Sequence, residues 1–170
     1  MKYNVYLYIL LFFTQLTVAQ TIKILPELKQ KVEKAANELS NPQTSLVDPV
    51  SINGTLVWSE DKTQVAVVLK ASIKNQWHIY AYVPKDQPFI TSELRLKLPK
   101  GIKAIGTWNL PYNDAYGKGI YVYRDMPVFI QYCAVEKYNI NAELECGLFY
   151  QACDPNICFP PQTKMKVLKL

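Results

Sequence analysis

The stretch Gln64-Val65-Ala66-Val67-Val68-Leu69-Lys70-Ala71-Ser72-Ile73-Lys74 decides the class of fold. Val65, Val67, Leu69, Ala71 and Ile73 recur at every second position, so one face of a pleated strand is continuously apolar. Similar segments lie on both sides. Leu56-Val57-Trp58 precedes it and Trp77 to Val83 follows it. Leu94, Leu96 and Leu98 alternate with Arg95 and Lys97 before a turn at Pro99-Lys100-Gly101. Ile102 to Trp108, Ile120 to Tyr123 and Pro127 to Glu136 read as further strands. Ala142, Leu144, Cys146, Leu148 and Tyr150 form the core face of another, and Met165, Val167 and Leu168 lie in the last. Eight or nine short strands, with turn signals roughly every 8 to 12 residues, predict an all-β antiparallel sandwich. Asn53-Gly54-Thr55 fits a glycosylation acceptor but reads as a turn ahead of the first strand.

Upstream of the β region, Leu25, Leu28, Val32, Ala35, Ala36 and Leu39 follow a 3.6-residue period, predicting an amphipathic helix over Leu25 to Ser40. Pro26 suits its first turn and Asn41-Pro42 ends it. Packing against the main domain is the expected role, and a docking arm is the alternative. Gln43 to Ile52 reads as a linker. Further upstream, Lys2 precedes the apolar run Val5 to Leu16, and Thr17-Val18-Ala19 fits cleavage before Gln20. The expected organisation is a signal peptide at 1–19, helix and linker at 20–52, and one β domain at 53–170. An uncleaved N-terminal anchor is the alternative for the first segment.

Cleavage leaves about 150 residues, enough for one domain with a core. It also leaves 18 basic against 14 acidic residues, a net charge of +4. The lysines are scattered through strand-like segments, which fits a solvated surface and argues against a nucleic-acid site.

The segment Gln151-Ala152-Cys153-Asp154-Pro155-Asn156-Ile157-Cys158-Phe159-Pro160-Pro161 carries the candidate chemistry. Pro155 and Asn156 suit the centre of a turn, and Phe-Pro-Pro blocks a helix or a central strand afterwards. The two sulfurs are therefore held near each other at a hairpin-like tip. No helix N-terminus is at hand to lower a thiol pKa, so reactivity would rest on exposure, strain or a partner's thiolate. A structural disulfide clipping the loop is the bland alternative, common in small exported domains.

Four cysteines in an oxidising compartment read as two pairs with three possible connectivities. Cys133 and Cys146 flank what reads as a hairpin near Tyr138 to Asn141, and a cross-strand disulfide there is feasible. The alternation points Cys133 to the other face unless a bulge intervenes, so buried free thiols stand as the alternative. His78 is the sole histidine. With no acidic cluster and no paired Cys-x-x-Cys spacing, a metal site is not expected, nor is any cofactor. Hydrolase chemistry lacks a nucleophile elbow and an acidic orienter for His78. His78 is expected to be a partly buried, aromatic-like residue beside Trp77 and Tyr80.

Three blocks carry a family resemblance. Phe149-Tyr150-Gln151-Ala152-Cys153, continuing through Cys158-Phe159-Pro160-Pro161-Gln162-Thr163-Lys164, resembles the end of the N-terminal periplasmic domain of thiol:disulfide interchange protein DsbD. Tyr112-Asn113-Asp114-Ala115-Tyr116-Gly117-Lys118, followed by Tyr123-Arg124-Asp125, resembles that domain's cap loop and next strand. Trp77-His78-Ile79-Tyr80 resembles its aromatic active-site lining, and the resemblance spans roughly Leu56 to Leu170. It implies an immunoglobulin-like sandwich in the periplasm, with Cys153 and Cys158 as a redox pair. Cys158 would form the mixed disulfide and Cys153 would resolve it. Asn113, Asp114, Ala115, Tyr116 and Gly117 would form the cap, with His78, Tyr80 and Phe159 lining the site. Implied partners are a thioredoxin-like protein fed by a membrane thiol reductase, and exported disulfide proteins; a monomer is expected.

The departures from the family are specific. Ala115 stands where the family carries a phenylalanine over the disulfide, and Asn113 replaces an acidic residue. The cysteine spacing is one residue shorter, and Cys133, Cys146 and the helix are additions. No reductase or thioredoxin-like segment follows, so the electron donor is expected to be a separate protein. Two other readings stand beside this one. They are a non-enzymatic immunoglobulin-like binding module with a structural Cys153–Cys158 clip, and a metal or cytochrome-assembly chaperone using the reduced cysteines.

Overall fold

The computed structural model describes residues 22–170; the signal peptide and cleavage point expected at 1–19 lie outside them. Among the described residues one helix, α1 (Pro26–Glu38), precedes eleven strands. These are β1 (Val50–Trp58), β2 (Gln64–Ile73), β3 (His78–Tyr82), β4 (Glu93–Lys97), β5 (Ile102–Ala104) and β6 (Asp114–Gly117). Then follow β7 (Ile120–Tyr123), β8 (Val128–Val135), β9 (Glu143–Tyr150), β10 (Ala152–Cys153) and β11 (Gln162–Lys169). The architecture is the all-β antiparallel sandwich that the alternating segments predict, of the immunoglobulin-like kind that the resemblance implies. One layer has the order β1-β2-β8-β5 and the other β11-β9-β4, with antiparallel pairing throughout.

The core lies between these layers. Val65, Val67, Leu69, Ala71 and Ile73 of β2 meet Leu144, Cys146, Leu148 and Tyr150 of β9, the two faces expected from the alternation. Gly147 lets β11 approach, since a Cβ there would collide with the Lys164 carbonyl and the Met165 sulfur. The Asn53-Gly54-Thr55 triplet sits inside β1 and is not a turn before it; β1 begins at Val50, within the expected linker. Gly54 faces the Cys146 sulfur from there.

The other face of β2 is also buried. Ala66 and Val68 lie with Tyr132 beneath Leu28, Val32 and Ala36 of the helix. Burying Leu28 and Val32 completely contributes about 1.5–3 kcal/mol each. Polar residues of the same β2 face hold the helix at both ends. The Gln64 side chain accepts from Leu25 N and donates to the Lys23 carbonyl. The Lys70 ammonium donates to the Ala36 and Leu39 carbonyls at 2.8 and 2.9 Å. The six-residue step from Gln64 to Lys70 spans about 20 Å of strand, nearly the length of a 13-residue helix. Lys70 is thus a buried helix clamp, whereas the sequence placed the lysines on a solvated surface.

A third sheet, β10-β3-β7-β6, stands at one end of the sandwich. Its strands continue those of the layers. β2 runs through a kink at Lys74–Trp77 into β3, while β7 leads into β8; the partners pass from Lys70↔Val128 to Ile79↔Tyr123. β9 continues past Gln151 into β10. Cys133 and Cys146 therefore belong to different layers, because β8 and β9 do not pair as a hairpin. Both are free and buried in the shared core, so the cross-strand bridge considered from the sequence is not made. Burial pushes the Cys133 thiol up to about 12, and Cys146 up to about 11 against the opposing pull of Lys166.

Candidate active site

The end sheet sorts its side chains by the two-residue period. Ile79, Ala152 and Tyr123 point into the main core. Cys153 and Tyr80 lie on the opposite face with Ile120 and Val122. Cys153 pairs directly with His78 across β10 and β3, so His78 shares that face.

Cys153 and Cys158 are joined by a disulfide, with Cα atoms 4.1 Å apart. Between them the chain makes the turn that Pro155 and Asn156 predict. Asp154, which the sequence did not single out, organises it. Its carboxylate accepts from the amides of Asn156 and Ile157 at 2.7 and 2.8 Å, and its own amide donates to the Ile157 carbonyl. The Phe159 amide donates to the Ala152 carbonyl and closes the base of the turn. An Asx turn was readable from Asp-Pro-Asn, since aspartate at the first turn position commonly caps in this way.

The two sulfurs are unequal. Cys153 is 1% exposed, whereas Cys158 sits on the exposed side of the turn. A cleft of about 170 Å³ opens onto both, lined by Tyr80, Phe89, Tyr116 and the turn from Cys153 to Cys158. Tyr80 stacks on Phe89 at 4.8 Å, forming its aromatic wall. A larger surface groove of about 650 Å³ lies at the far end of β5 and β8, around Lys100, Lys103 and Tyr138, and contains no cysteine.

The segment expected to form the cap is the β6–β7 hairpin, turned by Gly117, Lys118 and Gly119, all with positive φ. Asn113 precedes β6. Asp114 pairs opposite Val122 and lies 3.8 Å from the Arg124 guanidinium. Ala115 pairs with Tyr121 and is exposed, so the small side chain that departs from the family covers nothing. Tyr116, one residue on, lines the cleft. Its ring lies 4.6 Å from that of His78, and Arg124 packs over it at 5.7 Å. Phe159 instead packs on Trp77 at 4.9 Å, at the edge of the main core, and does not line the cleft.

His78 is more deeply placed than the sequence suggested, at 2% exposure, with Tyr80 edge-on at 5.2 Å. Burial holds its pKa down to about 4; the charge of Arg124 adds to this and that of Asp154 opposes it. Its Nε2 is buried without a hydrogen-bond partner among the described residues. Burial likewise pushes the Tyr80 phenol up to about 12. The site is thus a disulfide with one open and one shielded sulfur, on a neutral aromatic floor.

A family model described as "Thiol:disulfide interchange protein DsbD, N-terminal" matches residues 43–170. No curated protein matches. Among solved structures, the N-terminal periplasmic domain of ScsB from Proteus mirabilis superposes with a TM-score of 0.53 at 17% identity. That alignment covers 76% of this chain and 50% of the ScsB chain, so the likeness spans about half of that domain. The DsbD N-terminal domain of Neisseria meningitidis in the reduced form gives 0.43 at 14% identity, covering 69% of this chain and 84% of that one. The yeast GGA1 GAE domain gives 0.43 at 15%, covering 77% and 98%. With the family match covering residues 43–170, from ahead of β1 through the cysteine turn, this protein belongs to the family of DsbD N-terminal domains.

Proposed function

We propose that this domain is a periplasmic thiol–disulfide oxidoreductase module. It relays electrons between a thioredoxin-like donor and exported disulfide proteins through Cys153 and Cys158. Family membership supports the chemistry, and one observation carries the assignment of roles: Cys158 is exposed at the cleft while Cys153 is buried beside it.

The exchange balances as two displacements. A partner thiolate attacks the Cys158 sulfur, the Cys153–Cys158 bond breaks, and Cys153 leaves as a thiolate that takes a proton. The partner's second thiolate then attacks its own mixed-disulfide sulfur and releases Cys158. The partner ends oxidised by two electrons and the domain reduced by two; the reverse sequence passes them on. Tyr116 and the cap hairpin limit approach to the pair until a partner displaces them.

No helix among the described residues is long and apolar enough to cross a membrane. The periplasmic location rests on the family and on the leader expected at 1–19.

The test is a Cys153→Ala variant mixed with an oxidised thioredoxin-like protein. A mixed disulfide through Cys158, mapped by mass spectrometry, is the expected product. Its absence, with the cysteine pair of the wild type also resisting reduction below about −300 mV, assigns the bond a structural role and ends this reading.

A further inference from the structure

We propose that His78 is a built-in hydrogen-bond acceptor for the Cys153 thiol, favouring the reduced form of the pair. This deepens the exchange reading above and rests on it.

Three observations carry the inference. His78 and Cys153 are direct cross-strand partners on one face of the end sheet, which brings their Cβ atoms to about 4.5–5.5 Å. Both are almost completely buried, at 2% and 1% exposure. His78 Nε2 is buried and has no hydrogen-bond partner among the described residues, unusual for a polar atom in a folded protein.

The redox state explains that orphan. A disulfide sulfur has no hydrogen to donate. When two electrons and two protons convert the bond to two thiols, Cys153 acquires an S–H beside the imidazole, and Nε2 gains a donor. The oxidised state thus carries an unsatisfied nitrogen that the reduced state satisfies, which moves the equilibrium toward reduction. Burial and the Arg124 charge, opposed by Asp154, keep the imidazole neutral and able to accept. His78 acts through Cys153 and is a positioning residue, since the partner attacks at Cys158.

The experiment is equilibrium titration of the full chain with glutathione, comparing wild type, His78→Phe and His78→Gln. Phenylalanine keeps the ring contacts to Tyr80 and Tyr116, and glutamine keeps an acceptor. Removing the acceptor is expected to favour the disulfide about tenfold, a potential about 30 mV more negative, with His78→Gln returning to within about threefold of wild type. An unchanged or opposite shift in an exchange-competent His78→Phe protein overturns the inference and leaves the exchange function standing. Failure of the wild type itself to exchange with any dithiol overturns both. If His78→Phe does not fold, the wild type decides. Its single histidine gives unambiguous imidazole nitrogen signals, and the Nε2 resonance is expected to move upfield on reduction. An unmoved resonance overturns the inference.

Discussion

Replacing Lys70 with methionine tests how α1 is held to the sandwich. The stem of the lysine packs under the helix, and methionine reproduces much of that apolar contact. What is lost is the ammonium that donates to the Ala36 and Leu39 carbonyls. Those carbonyls belong to the helix C-terminus, where the intrahelical ladder supplies no donors. Each buried acceptor left unpaired costs about 1–3 kcal/mol. Part is recovered because an ammonium no longer has to be buried. The expected net loss is about 2–3 kcal/mol, or roughly 5–10 °C in Tm for a chain of this size. Urea unfolding of the oxidised protein, followed by far-ultraviolet circular dichroism, measures it as a lower midpoint at unchanged slope. Lys97→Met is the matched control. Lys97 pairs with Glu145 at 2.7 Å on an exposed surface, so its loss is expected to be indistinguishable from experimental scatter. A Lys70→Met protein as stable as this control would refute the clamp and reduce the helix to an apolar lid.

Acid should weaken the oxidised fold through His78. The unfolded chain takes up that proton near 6.5 and the folded chain only near 4. Stability is therefore complete above 6.5 and falls as pH drops toward 4, by about 2 kcal/mol once screening trims the full shift. His78→Phe should flatten this part of the profile in urea titrations across the window, and equal slopes in the two proteins would contradict it. Cys133 and Cys146 should resist a thiol reagent in the native oxidised protein and both react after denaturation, because burial disfavours their thiolates. Rapid labelling of the native protein would show that the core opens. Gly147→Ala should destabilise by about 1–3 kcal/mol, since the new Cβ meets β11 backbone that cannot move independently. A smaller loss in thermal unfolding would mean that β11 yields.

What could be read from the residues depended on whether the information was local. The inward face of β2 and the core face of β9 were legible because a two-residue period needs only neighbouring positions. The outer face of β2 was not. Ala66 and Val68 look like ordinary outward residues until α1, some 30 to 40 positions away, covers them. Lys70 was misplaced for the same reason. The β8–β9 hairpin was inferred from sequence proximity, yet the chain crosses between layers there and leaves Cys133 and Cys146 unbonded. At the site, the turn and its disulfide were legible from Cys, Pro and Asn. The short strand β6 has no period to read, and the ring of Phe159 packs on Trp77 at the edge of the main core, a long-range contact that no local pattern encodes. The pairing of His78 with Cys153 is a register, and no local pattern encodes it.

The burial of Cys146 decides which sulfurs meet when the chain folds under the oxidising conditions of the proposed periplasmic location. A newly made chain offers four sulfurs, and Cys146 lies hardly farther from Cys153 in sequence than Cys158 does. Ring-closure entropy separates these two options by only about 0.3 kcal/mol, too little to choose between them. The decision must come from the β9 strand, which withdraws Cys146 into the interior as it docks and leaves Cys153 with one available mate. Correct bonding is thus a by-product of assembly order, and a variant slow to dock that strand would accumulate the wrong ring.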